Sequence, residues 1–198
     1  MTVKACLFVL ALMCASPSFA TPIVSVSPRP GDPLVANGSF HVDVSIADAV
    51  DLIGYQFDLA FEPGVISLDG LATEGPFLTN SGSFQTLFSE GLDSPGTISF
   101  ILGSLFLPDT VSGSGVLASL SFIAAPTGGT SSLTLSNVQL FQEINGDPLE
   151  LFDFSTVNGA ATIAAPTDTT PVPEPTTMLL VGTGVAAALR KRRARIAR

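Results

Sequence analysis

The chain has no tryptophan, one tyrosine, one histidine and two cysteines in 198 residues, and Lys and Arg together number only 8. Each scarcity excludes something. Cys6 and Cys14 both lie within the first twenty residues, in a segment read below as a cleaved leader. The mature chain then has no disulfide, no thiol nucleophile and no thiolate metal site. The single His41 has no second histidine or cysteine to complete a triad or a zinc site. Six of the eight bases fall between Arg190 and Arg198, and Lys4 and Arg29 are the others. All 17 acids lie between Asp32 and Glu174, where Arg29 is the only base. A body so acidic does not bind nucleic acid, because neutralising phosphates takes clustered Lys and Arg. What the chain does have is Gly 18, Pro 15 and Phe 14, with only 13% charged residues. That composition favours a turn-rich β protein over a helical bundle, and the length suits one domain with short appendages.

Both ends carry addresses. Lys4 precedes an apolar run from Ala5 to Ala15, followed by Pro17-Ser18-Phe19-Ala20. A charged start, an apolar core and small residues three and one positions before a cut describe a secretory signal peptide. Ser18 and Ala20 fill the small positions, so cleavage is expected between Ala20 and Thr21. A buried first helix fits less well, since the run stops at Pro17 and has no amphipathic stripe. A lipoprotein reading through Cys14 is opposed by bulky Met13 where a small residue is wanted.

At the other end, residues 165–175 hold four prolines and read as an extended linker. Residues 176–189 are uncharged and mostly apolar, and residues 190–198 concentrate positive charge in Arg190, Lys191, Arg192, Arg193 and Arg195. Fourteen helical residues span about 21 Å, short of a hydrocarbon core of about 30 Å. Snorkelling of Arg190 and Lys191 and local bilayer thinning close the gap. This is expected as a short transmembrane helix, with the basic cluster cytoplasmic by the positive-inside rule and the acidic body outside. A nucleic-acid-binding or calmodulin-like tail is the competing reading, but the preceding segment lacks a polar face. Val172-Pro173-Glu174-Pro175, a short apolar span and a terminal basic cluster together resemble the PEP-CTERM sorting signal of exopolysaccharide-producing Gram-negative bacteria. The resemblance implies export, retention in the inner membrane, and processing by an exosortase-type membrane protease. The prolines suit that role, because they keep the motif out of a helix and accessible to a protease. The span differs from the family in being short and interrupted by glycine.

Between Ile23 and Ile163 apolar residues alternate with polar ones. Phe40, Val42, Val44 and Ile46 form one such run; Ile53, Tyr55, Phe57, Leu59 and Phe61 a second; Val116, Ala118, Leu120 and Phe122 a third; Leu133 and Leu135 a fourth. Period two with one dry face means antiparallel strands packed face to face. Further strands are expected at 23–27, 65–68, 97–103, 139–141 and 160–163. Turn residues separate them: Pro30-Gly31-Asp32, Glu62-Pro63-Gly64, Ser94-Pro95-Gly96, Asn145-Gly146-Asp147-Pro148 and Asn158-Gly159. The fold class is therefore all-β, an antiparallel β-sandwich of jelly-roll type with about nine strands, occupying residues 21–164 between the leader at 1–20 and the linker. No helix is expected before the tail, and residues 75–91, with Phe77, Phe84 and Phe88, read as a loop that packs under a sheet.

The order of these segments resembles the cohesin domain. The resemblance rests on the opening strand and turn before Phe40–Ile46, on Tyr55-Gln56-Phe57-Asp58-Leu59-Ala60-Phe61-Glu62-Pro63, on Gly113-Ser114-Gly115 with the strand through Phe122, and on Asn158-Gly159 before a closing strand. It implies a non-catalytic module that docks a protein, which in cellulosomes is a dockerin. The wider superfamily includes carbohydrate-binding sandwiches, so the fold does not choose the ligand. Polysaccharide recognition leans on Trp or Tyr, which offer a flat apolar face and a polar handle. Here there is no Trp, and Tyr55 alternates inward with Phe57. Protein recognition is thus preferred over binding extracellular polysaccharide, with a passive spacer in biofilm matrix as the third reading.

No constellation marks an enzyme. His41 alternates outward from Phe40 and Val42 as a surface imidazole. Gly113-Ser114-Gly115-Val116-Leu117-Ala118 matches a dinucleotide fingerprint by letter, but it opens a strand and offers no helix N-terminus to a pyrophosphate. Gly182-Thr183-Gly184 before Ala187 is the same coincidence. A glycosidase needs two carboxylates about 5–10 Å apart across a cleft, and nothing singles out a pair among seventeen acids. No cofactor is expected. Calcium is the one metal to weigh, at Glu143, Asn145, Asp147 and Glu150 with Asp153 beyond, but the glycine comes too early for an EF-hand loop. A solvated acidic turn is the preferred account.

Overall fold

The computed structural model describes residues 20–80, 86–106, 109–144, 147–151, 153–166, 179–186 and 192, with only the backbone for residues 143, 144 and 147–151. The chain divides into two compact units, Met1–Pro166 and Thr167–Arg198. The first is built of strands in two layers. β1 (Ile23–Pro28) pairs in antiparallel fashion with the first half of β2 (Ser39–Ala60), which pairs on its other side with β7 (Val111–Ala124). β3 (Ile66–Leu68) and β4 (Thr73–Glu74) line the far edge of β7. β10 (Ser155–Val157) closes this layer parallel to β1. In the second layer the order is β5 (Thr86–Ser94), β6 (Thr97–Leu105), the second half of β2, and β8 (Gly129–Ile144). β8 also carries β9 (Asp147–Leu151) and β11 (Gly159–Ile163).

β2 is thus the spine of the sandwich. Sequence alone suggested two strands, Phe40–Ile46 and Ile53–Phe61, yet the chain runs through 22 residues without a turn. The change of layer is made by irregularities: the register with β7 shifts between Ile46 and Ala49 and again between Ala49 and Leu52. Asp48 and Asp51 take left-handed φ values of 56° and 49°, which short polar side chains tolerate. Bulges of this kind bend a strand and let it pass from one sheet to the other.

Inward residues of both layers meet in one core that includes Phe40, Phe57, Tyr55, Leu59, Ile101, Leu120 and Phe122. Phe122 stacks on Phe40 at 6.0 Å in its own layer and meets Phe61 edge-on at 5.1 Å, just past the end of β2. Tyr55 stacks on Phe57 at 5.8 Å, and its hydroxyl donates to the Leu117 carbonyl at 2.6 Å. Burial drives the Tyr55 phenol far above its usual range.

Several sequence expectations need correction. Leu117, assigned outward by alternation, is 1% exposed because β7 bulges beside it, where the register against Val44 and Ser45 slips by one. Residues 75–91 are not a loop throughout. They contain a short helix, α1 (Pro76–Thr79), and the first part of β5. Pro at the start of α1 needs no N–H bond there, and burial of Phe77 and Leu78 holds the turn down. Gly75 is required in front of it, since a Cβ would lie 2.2 Å from the Val116 carbonyl oxygen. Phe77 is buried and Phe88 packs against the core, while Phe84 lies outside the described residues. The expected strands at 133–135 and 139–141 are one long β8.

In the second unit, residues 179–186 are helical, with the Thr183 hydroxyl donating to the Leu179 carbonyl at 2.8 Å, and Leu179, Leu180 and Val181 are exposed. Among the described residues no helix is long and apolar enough to cross a membrane.

Candidate recognition surface

The two outer faces of the sandwich differ in chemistry. On the β1–β2–β7 face, cross-strand neighbours Ser27, Asp43, Ser119 and Thr73 form one polar row. Arg29, from the end of β1, lies across it. Its Nε and Nη2 donate to the two Asp43 carboxylate oxygens at 3.0 and 2.8 Å, and Nη2 also donates to Ser119 Oγ at 2.7 Å. The Asp43 hydrogen bond raises the Arg29 pKa further. Asp32 accepts from the His41 backbone N–H at 2.7 Å and from His41 Nδ1 at 2.8 Å, and the ring's hydrogen bond is the main cause holding its carboxyl below the ordinary range. His41 is the surface imidazole expected, but it has a structural job in tying the turn after β1 to β2. Charges on this face satisfy one another.

The opposite face, across β5–β6–β2–β8, is apolar at its centre. Register sets Leu87, Ser104, Gly54 and Phe141 in one row, and Ser89, Leu102, Gln56 and Gln139 in the next. Gly54 contributes no side chain, and a Cβ there would sit 2.9 Å from the Gly103 carbonyl oxygen. The result is a shallow depression of about 260 Å³ lined by Ile53, Gly54, Leu87, Leu102 and Phe141 among others. Leu87 is 57% exposed.

A third row is built on strain. Phe100 in β6 and Asn137 in β8 have φ values of 61° and 49°. A left-handed phenylalanine costs about 1–2 kcal/mol and needs a compensating partner. Asp58, in the strand between them and only 7% exposed, supplies it. One carboxylate oxygen accepts the Phe100 N–H at 2.8 Å and the other the Asn137 side-chain amide at 2.5 Å. The bulge leaves both Ile98 and Ile101 facing the core and turns Phe100 outward, 55% exposed. Sequence reasoning missed Phe100, because alternation from Ile98 places it inside. Asp58 among apolar neighbours was the only available signal.

The remaining sequence-derived residues are scattered. Ala20 and Thr21 are exposed at the start of the described chain, and the rest of the leader lies outside it. Val172, Pro173, Glu174 and Pro175 lie outside the described residues, as do Arg190, Lys191, Arg193 and Arg195; Arg192 is helical and exposed. Of the calcium candidates, Asn145 is outside, Glu143 lies on β8, Asp147 and Glu150 lie on β9, and Asp153 is exposed beyond it. Ile144 at the end of β8 pairs with Asp147 at the start of β9. Among the described residues no group of three or more His, Cys, Asp or Glu side chains is placed to hold a metal. The Gly113-Ser114-Gly115 segment lies within β7.

The fold is that of cohesin domains. A non-cellulosomal cohesin from the hyperthermophilic archaeon Archaeoglobus fulgidus superposes with a TM-score of 0.55 at 18% identity, over 74% of this chain and 93% of that one. The seventh ScaB type I cohesin from Pseudobacteroides cellulosolvens gives 0.56 at 18%, over 75% and 96%. A type I cohesin–dockerin complex from Clostridium thermocellum gives 0.56 at 11%, over 73% and 100%. Residues 171–193 match the PEP-CTERM protein-sorting motif. No curated protein matches the chain.

Proposed function

We propose that the chain is an exported, non-catalytic recognition protein whose β-sandwich, residues 21–164, binds a protein partner at the cell surface or in the extracellular matrix of a Gram-negative bacterium. Residues 1–20 direct export. The linker at 165–175 presents Val172–Pro175, the segment 176–189 holds the protein in the inner membrane, and the basic residues 190–198 stay cytoplasmic until an exosortase-type protease acts. The PEP-CTERM match supports the sorting half of this reading.

The observation that carries the recognition half is the apolar centre of the β5–β6–β2–β8 face, where Leu87, Leu102 and Phe141 surround a floor with no side chain at Gly54. Exposed apolar clusters rimmed by polar groups mark protein-binding sites. A dockerin-like protein is the partner type that the cohesin fold brings to mind, since one of the superposed cohesins is bound to a dockerin. Extracellular polysaccharide is less suited, with Tyr55 buried and no Trp to stack on a sugar.

The test is capture from the host's extracellular matrix on immobilised full-length chain, with and without calcium, scoring both protein and sugar. One protein is expected in stoichiometric amount, and Leu87→Asp is expected to reduce its capture at least tenfold while leaving the melting temperature within a few degrees. Sugar captured without protein would move the function to carbohydrate binding, with loss on chelation pointing to calcium bridging. Capture of nothing would leave a matrix spacer.

A further inference from the structure

A second surface lies at the side of the sandwich, where β4 ends one layer and β5 ends the other. β5 runs for nine residues and, among the described residues, pairs only with β6. The backbone groups on its other side are a template for another strand. Proteins guard such edges with charges, Pro or backbone irregularities; β5 has no Lys or Pro, its charged residues Glu90 and Asp93 are both acidic, and its one left-handed residue, Gly91, leaves Thr86–Glu90 regular ahead of it. The acids continue across the gap to β4. Thr86, at the head of β5, donates its hydroxyl to Glu74 Oε2 at 2.9 Å, while Glu74 Oε1 is buried with no hydrogen-bond partner among the described residues. A buried carboxylate oxygen without a donor is costly, and native structures rarely tolerate it without reason. Arg29, the only base among residues 20–166, is committed to Asp43 and Ser119. Among the described residues Glu74 therefore keeps an unused acceptor beside the edge of β5.

We propose that the free edge of β5 is a strand-addition site for an extended, Lys- or Arg-bearing segment of a partner protein, one of whose cations is received by the Glu74 carboxylate. Backbone pairing along Thr86–Ser94 supplies the register, and Glu74, Glu90 and Asp93 select the charge. A second copy of this chain would set the same acids against each other, so self-pairing is opposed. The site is the backbone edge of β5, a strand whose Leu87 and Ser89 also belong to the sheet face, and it does not depend on that reading.

The test uses the full chain in detergent micelles at low salt and three labelled eight-residue peptides: alternating Lys and Val, the same sequence methylated at every backbone nitrogen, and alternating Glu and Val. The Lys/Val peptide is expected to bind and to slow amide exchange within 86–94. The methylated peptide is expected at least tenfold weaker, and the Glu/Val peptide should not bind. Glu74→Gln and Glu90→Lys are each expected to weaken binding several-fold, and Glu90 is exposed, so its reversal leaves folding intact. Equal binding of the methylated peptide, protection elsewhere on the chain, absence of binding, or a dimer that already protects 86–94 would each overturn the proposal.

Discussion

Replacing Phe122 with alanine is expected to cost about 4 kcal/mol of folding stability, in the range usual for truncating a buried phenylalanine. Phe122 is fully buried and is the ring that joins the two layers: it stacks on Phe40 within the β2–β7 pair and meets Phe61 edge-on at the start of the turn after β2. Truncation removes the apolar surface, leaves a cavity between the sheets and breaks two ring contacts. With total stabilities of about 5–15 kcal/mol for domains, such a loss lowers the midpoint by roughly 10 °C. Phe122→Leu, which keeps most of the volume, is expected to cost less than half as much. Thermal and urea unfolding followed by circular dichroism measure both. A cost below about 1 kcal/mol for the alanine variant would mean that the layers do not meet at this ring.

Asp58→Ala is expected to cost about 3 kcal/mol, although it removes no apolar surface. The Asp58 carboxylate holds one donor from each neighbouring strand, and its loss leaves the Phe100 N–H and the Asn137 amide without partners at two left-handed residues. An unsatisfied donor of this kind costs about 1–3 kcal/mol. Asp58→Asn keeps one acceptor oxygen and should lose about half as much. The effect should be local as well: amide exchange at Phe100 is expected to rise by more than the global loss explains, since the bulge that presents this ring to solvent is no longer pinned. Unchanged exchange at Phe100, with a stability loss below about 0.5 kcal/mol, would show that the bulge holds without the carboxylate.

Much of this architecture is legible in the sequence where one rule acts alone. Strict alternation in Phe40–Ile46 and Tyr55–Phe61 marks half-buried strands, and Pro95-Gly96 marks a hairpin, with Gly96 at φ 82° as such a turn requires. Illegible features arise where two strands of unequal length must match. Alternation fails at Leu117 and Phe100 because a bulge inserts one residue and reverses every side chain beyond it. The passage of β2 through residues 47–52 reads as a loop, since Asp48 and Asp51 are turn formers; pairing with β1, β7 and β8 keeps it a strand. β5 is hidden for a different reason. As an edge strand it buries little, so Leu87, Ser89, Glu90 and Leu92 show no dry face. The sorting tail is legible because its information is chemical and linear: prolines, an apolar run, then basic residues. The candidate recognition surface is the least legible part, being assembled from residues of four strands around a glycine.

Delivery of the sandwich by the tail, followed by removal of the tail, is read directly in the intact mass of the chain recovered outside a host cell that has an exosortase-type protease. The expected product begins at Thr21 and lacks the apolar segment 176–189 and the basic residues that follow. Alanine at Pro173, Glu174 and Pro175 together should leave a chain that retains its tail in the membrane fraction. A released chain that still carries residues 176–198, or equal release of the alanine variant, would contradict the claim.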